Sequence, residues 1–262
     1  MKLAAGVEYR GTSFAGWQRQ HHAVSVQEHV EQALSKVADR SVTTVCAGRT
    51  DTGVHAVQQV IHFVTDAVRS SHSWVLGANA NLRKDICLRW VIEVEDGFHA
   101  RYSALSRTYR YVILNRKCRP SITCGLATWE HRPLDAEAMA AAGSELIGRH
   151  DFTSYRAIAC QAKQPVREVR RLDIRREGQL ILFEIQADGF LHHMVRNIAG
   201  VLMAIGKGDR RPEWAKEVLQ ARDRNQGGVT APPDGLYLID VEYPEKYHIP
   251  APENAGRIAL IS

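Results

Sequence analysis

Long apolar runs are missing from this 262-residue chain: no stretch approaches the ~18 apolar residues of a membrane span. The start, "MKLAAGVEYR", also lacks the apolar segment of a secretory signal, so a cytoplasmic protein is expected. Cysteine is scarce and unpatterned. Cys46, Cys87, Cys118, Cys124 and Cys160 are odd in number and scattered, with no Cys-x-x-Cys pair, which argues against a disulfide framework or a zinc ribbon. They read as reduced, mostly buried thiols. Low-complexity linkers are absent too, and the Pro/Gly-rich "GGVTAPPDG" at 227–235 reads as an ordered loop. No sign of charge dominates: 34 Lys and Arg face 29 Asp and Glu, a net +5. A mild positive field of this kind suits a partner of nucleic acid and equally an enzyme of small anions. With 45% hydrophobic and 24% charged residues, the composition is that of an ordinary globular chain and argues against disorder.

What is present is a repeated alternation of strands and helices. "KLAAGVEYR" has strand character, and "SVQEHVEQALSKVADR" places Val26, Val30, Ala33, Leu34 and Val37 on one helical stripe. Ser25 followed by Glu28 has capping-box spacing and marks that helix's start. Strands "VTTVCAG" and "AVQQVIHFV" flank a polar loop, followed by a helix near "HSWVLGANANL" and strands "ICLRWVIEVE" and "LSRTYRYVIL". A similar order recurs after about residue 120, with helix "LDAEAMAAAGSELIG", strands "VREVRRLDIRR" and "QLILFEIQA", helix "FLHHMVRNIAGVLMAIG", a helix from Pro212 and a closing strand "LYLIDVEY". The tail from Pro244 reads as irregular and partly mobile. Two α+β halves follow, 1–104 and 105–262, with antiparallel or mixed sheets and helices on one face.

The polar loop holds the first candidate chemistry. In "RTDTGVH", Thr50 and Thr52 flank Asp51, and Gly53 sits where a tight turn needs positive φ. Asp-Thr-Gly is also the core of the aspartic protease signature, but two such carboxylates must share a proton and the chain has no second copy. Arg49 beside the acid favours its ionised form. An ionised carboxylate among arginines suits attack or charge stabilisation at a sugar carbon. No partner acid stands out, and a nucleobase leaving group would not need one.

On "FLHHMVRNIAGVLMAIG" a step of roughly 100° per residue puts Leu191, Met194, Val195, Ile198, Val201, Leu202 and Ile205 on one face. His192, His193, Arg196, Asn197 and Gly200 take the other, either as a solvated face or as the lining of a phosphate-holding cleft. The adjacent histidines lack the i, i+4 spacing that grips zinc, so no metal is expected. "RTYRY" alternates Arg107, Tyr109 and Tyr111 with Thr108 and Arg110, a pattern in which a ring stacks on an unpaired base while Arg107 and Arg110 hold the backbone, or in which a half-buried strand carries surface arginines. "VREVRRLDIRRE" carries arginines on both faces and reads mostly as surface.

Five segments, "YRGTSFAGWQRQ", "AGRTDTGVHA", "FHARYSALSRTYRY", "DGFLHHMVRNIAG" and "TAPPDGLYL", occur in order and at suitable spacing. Together they resemble the tRNA pseudouridine synthase I family over nearly the whole chain. The resemblance implies two ferredoxin-like halves with joined, mainly antiparallel sheets forming a central catalytic cleft. It implies conversion of uridine to its C-glycoside isomer at positions 38, 39 and 40 of the tRNA anticodon arm, without cofactor or metal, by a homodimer. On matching positions, Asp51 is the essential carboxylate, Arg49 helps displace the target base and Tyr109 packs against the flipped uracil. Arg196 pairs with the aspartate, and Leu236 forms an apolar wall. The competing expectation is an RNA-binding protein of the same fold that has lost the activity.

Overall fold

The computed structural model describes residues 1–252 apart from His21, Ala159 and Gln161. The chain divides into two compact units, one of Met1–Leu105 with Tyr237–Ser262, the other of Ser106–Leu236. Among the described residues no helix is long and apolar enough to cross a membrane.

The first unit runs β1 (Lys2–Tyr9), α1 (Val26–Ala38), β2 (Val45–Cys46), β3 (His55–Val64), α2 (Ser71–Asn81) and β4 (Ile86–Val94). Its strands lie in the order β4-β1-β3-β2, antiparallel throughout. This is a split βαβ arrangement, in which β3 fills the gap between β1 and β2. The helix stripe seen in the sequence is buried at Val26, Val30, Ala33 and Leu34, and Ser25 accepts the Glu28 amide at 3.4 Å. Trp74 of α2 meets Phe63 of β3 edge-on at 5.3 Å. One polar residue interrupts the stripe. Buried Glu31 accepts the Thr44 amide (2.7 Å) and hydroxyl (3.1 Å) and pairs with Arg19 at 2.6 Å, tying α1 to the chain that leads into β2.

The second unit runs β5 (Ser106–Asn115), β6 (Thr128–Glu130), α3 (Ala136–Ser144), β7 (Gly148–Asp151), β8 (Val166–Glu177), β9 (Leu180–Ala187), α4 (Met194–Gly206) and α5 (Trp214–Ala221). The order is β5-β9-β8-β7, with β9 antiparallel between β5 and β8 and α3 packed on β8. The short strand β6 pairs in parallel with β5. Both units are α+β; the first has the ferredoxin-like order that the resemblance implies, whereas in the second β7, β8 and β9 run as a consecutive antiparallel meander beside β5.

The closing strand β10 (Leu236–Glu242) lies parallel to the start of β3, with Tyr237 opposite His55. That pairing returns the chain from Tyr237 onward to the first unit, whereas the sequence division kept 105–262 together. Tail residue Tyr247 packs on buried Phe98 at 5.1 Å, while the end of the tail lies outside the described residues. The cysteines differ from expectation: Cys87, Cys118 and Cys124 are exposed and Cys46 and Cys160 half-buried. The three exposed ones fall in loops or on a strand's outward face, where a small thiol needs no burial.

His62 of β3 is 8% exposed, and its Nδ1 accepts the Ala100 amide at 3.1 Å. Burial first, then the charges of His99 and Lys2, push the imidazole down from 6.5 to about 4. A base whose folded value is depressed stays neutral while the unfolded chain takes up its proton, so stability falls as pH drops from 6.5 towards 4. The loss from this group is expected to reach ~3 kcal/mol. Denaturant unfolding of His62→Gln, which keeps an acceptor but cannot charge, should show a correspondingly shallower decline over that range.

Candidate active site

The loop between β2 and β3 carries Arg49 and Asp51, and its geometry follows from what lies beneath it. Thr50 is buried, and its carbonyl accepts the Trp17 amide at 3.0 Å. Its hydroxyl sits 2.7 Å from the phenol oxygen of Tyr9. Tyr9 and Trp17 are themselves buried, their ring centroids 5.8 Å apart. Gly16, at φ 95°, lies so close that an added Cβ would stand 2.6 Å from the Thr50 carbonyl oxygen. With Thr50 turned inward, its neighbours face out: Arg49 is exposed and Asp51 half-buried.

Past the acid, the Val54 amide donates to the Asp51 carbonyl at 3.1 Å, with Gly53 at φ 80°. Asp51 thus heads a tight turn of the kind that requires positive φ at its third residue. The turn that the sequence pattern suggested is therefore formed at Asp51. Gln59 of β3 holds the loop's other side, donating to the Gly48 carbonyl at 2.6 Å and accepting its amide at 3.3 Å. Burial pushes the Cys46 thiol up, against the opposing charges of Arg49 and Arg101.

In the second unit Tyr109 lies on β5, nearly buried, with the Phe190 ring edge-on at 5.0 Å. Arg107 reaches the Asp188 carbonyl at 2.9 Å, beside that phenylalanine. The chain turns sharply next. His193 adopts a left-handed conformation (φ 61°) and caps α4, so His192 and His193 precede the helix that the sequence pattern began at Phe190. Their rings lie 4.0 Å apart, His192 exposed and His193 half-buried.

Arg196 and Asn197, on the first turn of α4, hold the loop that ends at Leu236. The Arg196 Nε donates to the Ala231 carbonyl at 2.9 Å, and the Ala231 amide donates back to the Arg196 carbonyl at 3.1 Å. Asn197 is 2% exposed, not on a solvated face; it donates to the Tyr155 carbonyl at 2.8 Å and accepts from Thr230 at 2.6 Å and Arg224 at 3.1 Å. Gly200 admits the same loop, since a Cβ there would collide with the Val229 carbonyl. Leu236, buried, follows a turn closed by its own amide on the Pro233 carbonyl at 2.8 Å.

Arg110 departs from expectation. Only 6% exposed, it sits opposite Glu184 in the β5–β9 register and donates to that carboxylate through Nε at 3.0 Å and through Nη2. Arg171 and Arg175 of β8 approach the same carboxylate, each at 3.3 Å. Burial by itself would raise the Glu184 carboxyl, but the Arg110 hydrogen bond and the three guanidinium charges outweigh it and hold it below the usual range. A guanidinium committed inside the unit cannot also grip an RNA backbone, so Arg110 is a structural partner of Glu184. The strand period alone could not reveal this, because the acid lies 74 residues away.

A family model described as tRNA pseudouridine synthase matches residues 5–103 and 142–244. A "tRNA pseudouridine synthase A" of Alcanivorax borkumensis is 54% identical over 250 residues, 95% of this chain and 94% of that protein. One of Nitrosococcus oceani is 55% identical over 250 residues, 95% of this chain and 96% of its own length. Among solved structures, a crystal structure of a Cbf5–Nop10–Gar1 complex aligns with 76% of this chain and 54% of that chain, at 11% identity and a TM-score of 0.32, too slight a likeness to carry an argument.

Gly16→Ala is expected to lower stability by about 2 kcal/mol, through the positive φ and the clash with Thr50; a denaturant midpoint equal to wild type would refute the seating described for this loop. Arg110→Ala should cost about 3 kcal/mol by leaving a buried carboxylate short of a partner. In the same unfolding assay, Glu184→Gln should lose less of its deficit to wild type at neutral pH than at acid pH, where wild-type Glu184 is itself neutralised.

Proposed function

The chain belongs to the tRNA pseudouridine synthase family, and from that premise we propose that it converts uridine to pseudouridine at positions 38, 39 and 40 of the tRNA anticodon arm. The observation that carries the reading is the seating of Thr50, which presents Asp51 and Arg49 outward from a loop whose backbone is held on both sides. The coarser statement, an isomerase acting on tRNA uridine, is supported by relatives more than half identical over nearly their full length.

The reaction breaks the bond from uracil N1 to ribose C1′ and forms one from C5 to C1′; C5 gives up a proton and N1 gains one. No electrons are gained or lost overall, and on the family resemblance the proposal assigns no cofactor or metal. A paired uridine must first leave its stack, at a cost of roughly a few kcal/mol offset by phosphate contacts and stacking. Exposed Arg49 is suited to enter the space the base leaves. Asp51 acts at the ribose, either by attack on C1′ or by removing the 2′ proton to give a glycal.

Tyr109, steadied by Phe190, is assigned to the detached uracil and to the C5 proton. Leu236 is assigned as the apolar wall and Arg196, by the family resemblance, as the basic partner of the aspartate. His192 and His193, at the bend before α4, and Arg107 complete the substrate-binding set. Asn197 serves it by fixing the loop 227–235. A homodimer working in the cytoplasm belongs to the same proposal, supported by the family resemblance.

The test is tRNA tritiated at uracil C5, since the new carbon bond must release that label to water. Wild type should release it, and Asp51→Ala should do so at least about 1,000-fold more slowly while still binding tRNA. Substrates with a single uridine at 38, 39 or 40 should each be turned over. Binding without release by either protein would establish an RNA-binding protein instead.

A further inference from the structure

We propose that the loop at residues 98–105 of the first unit carries a second RNA subsite, in which Tyr102, backed by His99 and flanked by Arg101, stacks on one unpaired nucleobase. This rests on the tRNA reading above. Tyr102 is 76% exposed, an unusual position for so large a ring. It is not loose: its ring lies on His99 at 4.4 Å with 29° between planes, and the Arg101 guanidinium stands 5.6 Å from its centroid.

The loop beneath that ring is fixed at nearly every residue. Lys2 donates to the carbonyls of Asp96 and of Phe98, the latter at 3.1 Å, and the Phe98 ring is fully buried against His62, Tyr243 and Tyr247. The Ala100 amide donates to His62 at 3.1 Å, and the Tyr243 phenol to the Ala100 carbonyl at 2.5 Å. Leu105 donates its amide to the Glu242 carbonyl at 2.8 Å, and Ser103 and His99 bond reciprocally at 2.9 and 3.0 Å.

The His99 ring is itself locked, its Nδ1 accepting the amides of Arg101 and Tyr102 at 3.2 Å each. Burial, ahead of the nearby cations, holds its imidazole below the ordinary histidine range, so a neutral ring supports the tyrosine. A fixed loop that displays an aromatic face has already met the ordering cost that stacking a base would otherwise incur.

The surroundings favour a polyanion. Arg101 and Arg49 both act on the thiol of half-buried Cys46, which places the platform's cation in the same electrostatic neighbourhood as the Asp51 loop. A ring beside a guanidinium is the combination that takes a base on its face and a phosphate at its edge. An anticodon arm offers unpaired bases close to its modified positions. Tyr109, nearly buried in the other unit, is assigned to the target uracil, so Tyr102 is a separate contact.

The test uses the full chain as wild type, Tyr102→Ala, Tyr102→Phe and Arg101→Ala. Dissociation constants for tRNA come from fluorescence anisotropy over a range of salt, with KM and kcat from tritium release and mass from sedimentation. Tyr102→Ala is expected to weaken binding about 5- to 150-fold with most of the loss in KM, while Phe restores affinity to within about two-fold. The salt slope should be unchanged in Tyr102→Ala and lower by about one in Arg101→Ala.

Wild-type affinity in Tyr102→Ala would overturn the platform, and so would a Phe variant as weak as Ala. A Tyr102→Ala protein that loses affinity only because it dissociates would assign Tyr102 and the neighbouring exposed Leu105 to contact with a second copy, and equally overturn it. Tritium release indifferent to Tyr102 would keep the catalytic reading and remove the subsite; Tyr102-dependent binding without release by wild type would do the reverse.

Discussion

The seating of Thr50 is the constraint on which the loop carrying Asp51 and Arg49 depends. A carboxylate that must meet one atom of a large substrate is effective only if its backbone cannot drift, because small misplacements cost large factors in rate. Here the residue before the acid is gripped through its carbonyl by Trp17 and through its hydroxyl by Tyr9, and Gly16 leaves room for the approach. The acid's orientation is set by neighbours, which leaves the carboxylate half-exposed.

The second unit solves a different problem, that of holding a loop with little regular structure against a helix. Arg196 and Asn197 do this with main-chain contacts from side chains, and Gly200 and Gly235 remove the Cβ atoms that would keep the chains apart. The arginine-rich β8 is likewise drawn inward, two of its guanidinium groups sharing Glu184 with Arg110. A basic count in the sequence therefore overstates the positive charge available to a polyanion. Several arginines act as cement for the sheet.

The local signals were read correctly where they were local. Ser25 caps α1, most of its apolar stripe is buried, and the strands and helices follow one another in the order that periodicity indicates. The short strands β6 and β7, of three and four residues, passed unread because so few residues carry no usable period. Helix α4 begins four residues later than its pattern because His193 turns left-handed, a conformation without a sequence signature outside glycine and asparagine.

By itself, the sequence determined the α+β class, the two similar halves, the family resemblance and the identity of Asp51, Arg49, Tyr109 and Arg196 as candidates, since these rest on periodicity and on ordered motifs. Only the tertiary structure decided that Arg110 and Asn197 face inward, that β10 returns to the first unit, and that Tyr102 stands exposed on a fixed loop. Each of those depends on a partner far along the chain, and a side chain's accessibility is set by whatever the fold brings against it, which no neighbouring residue records.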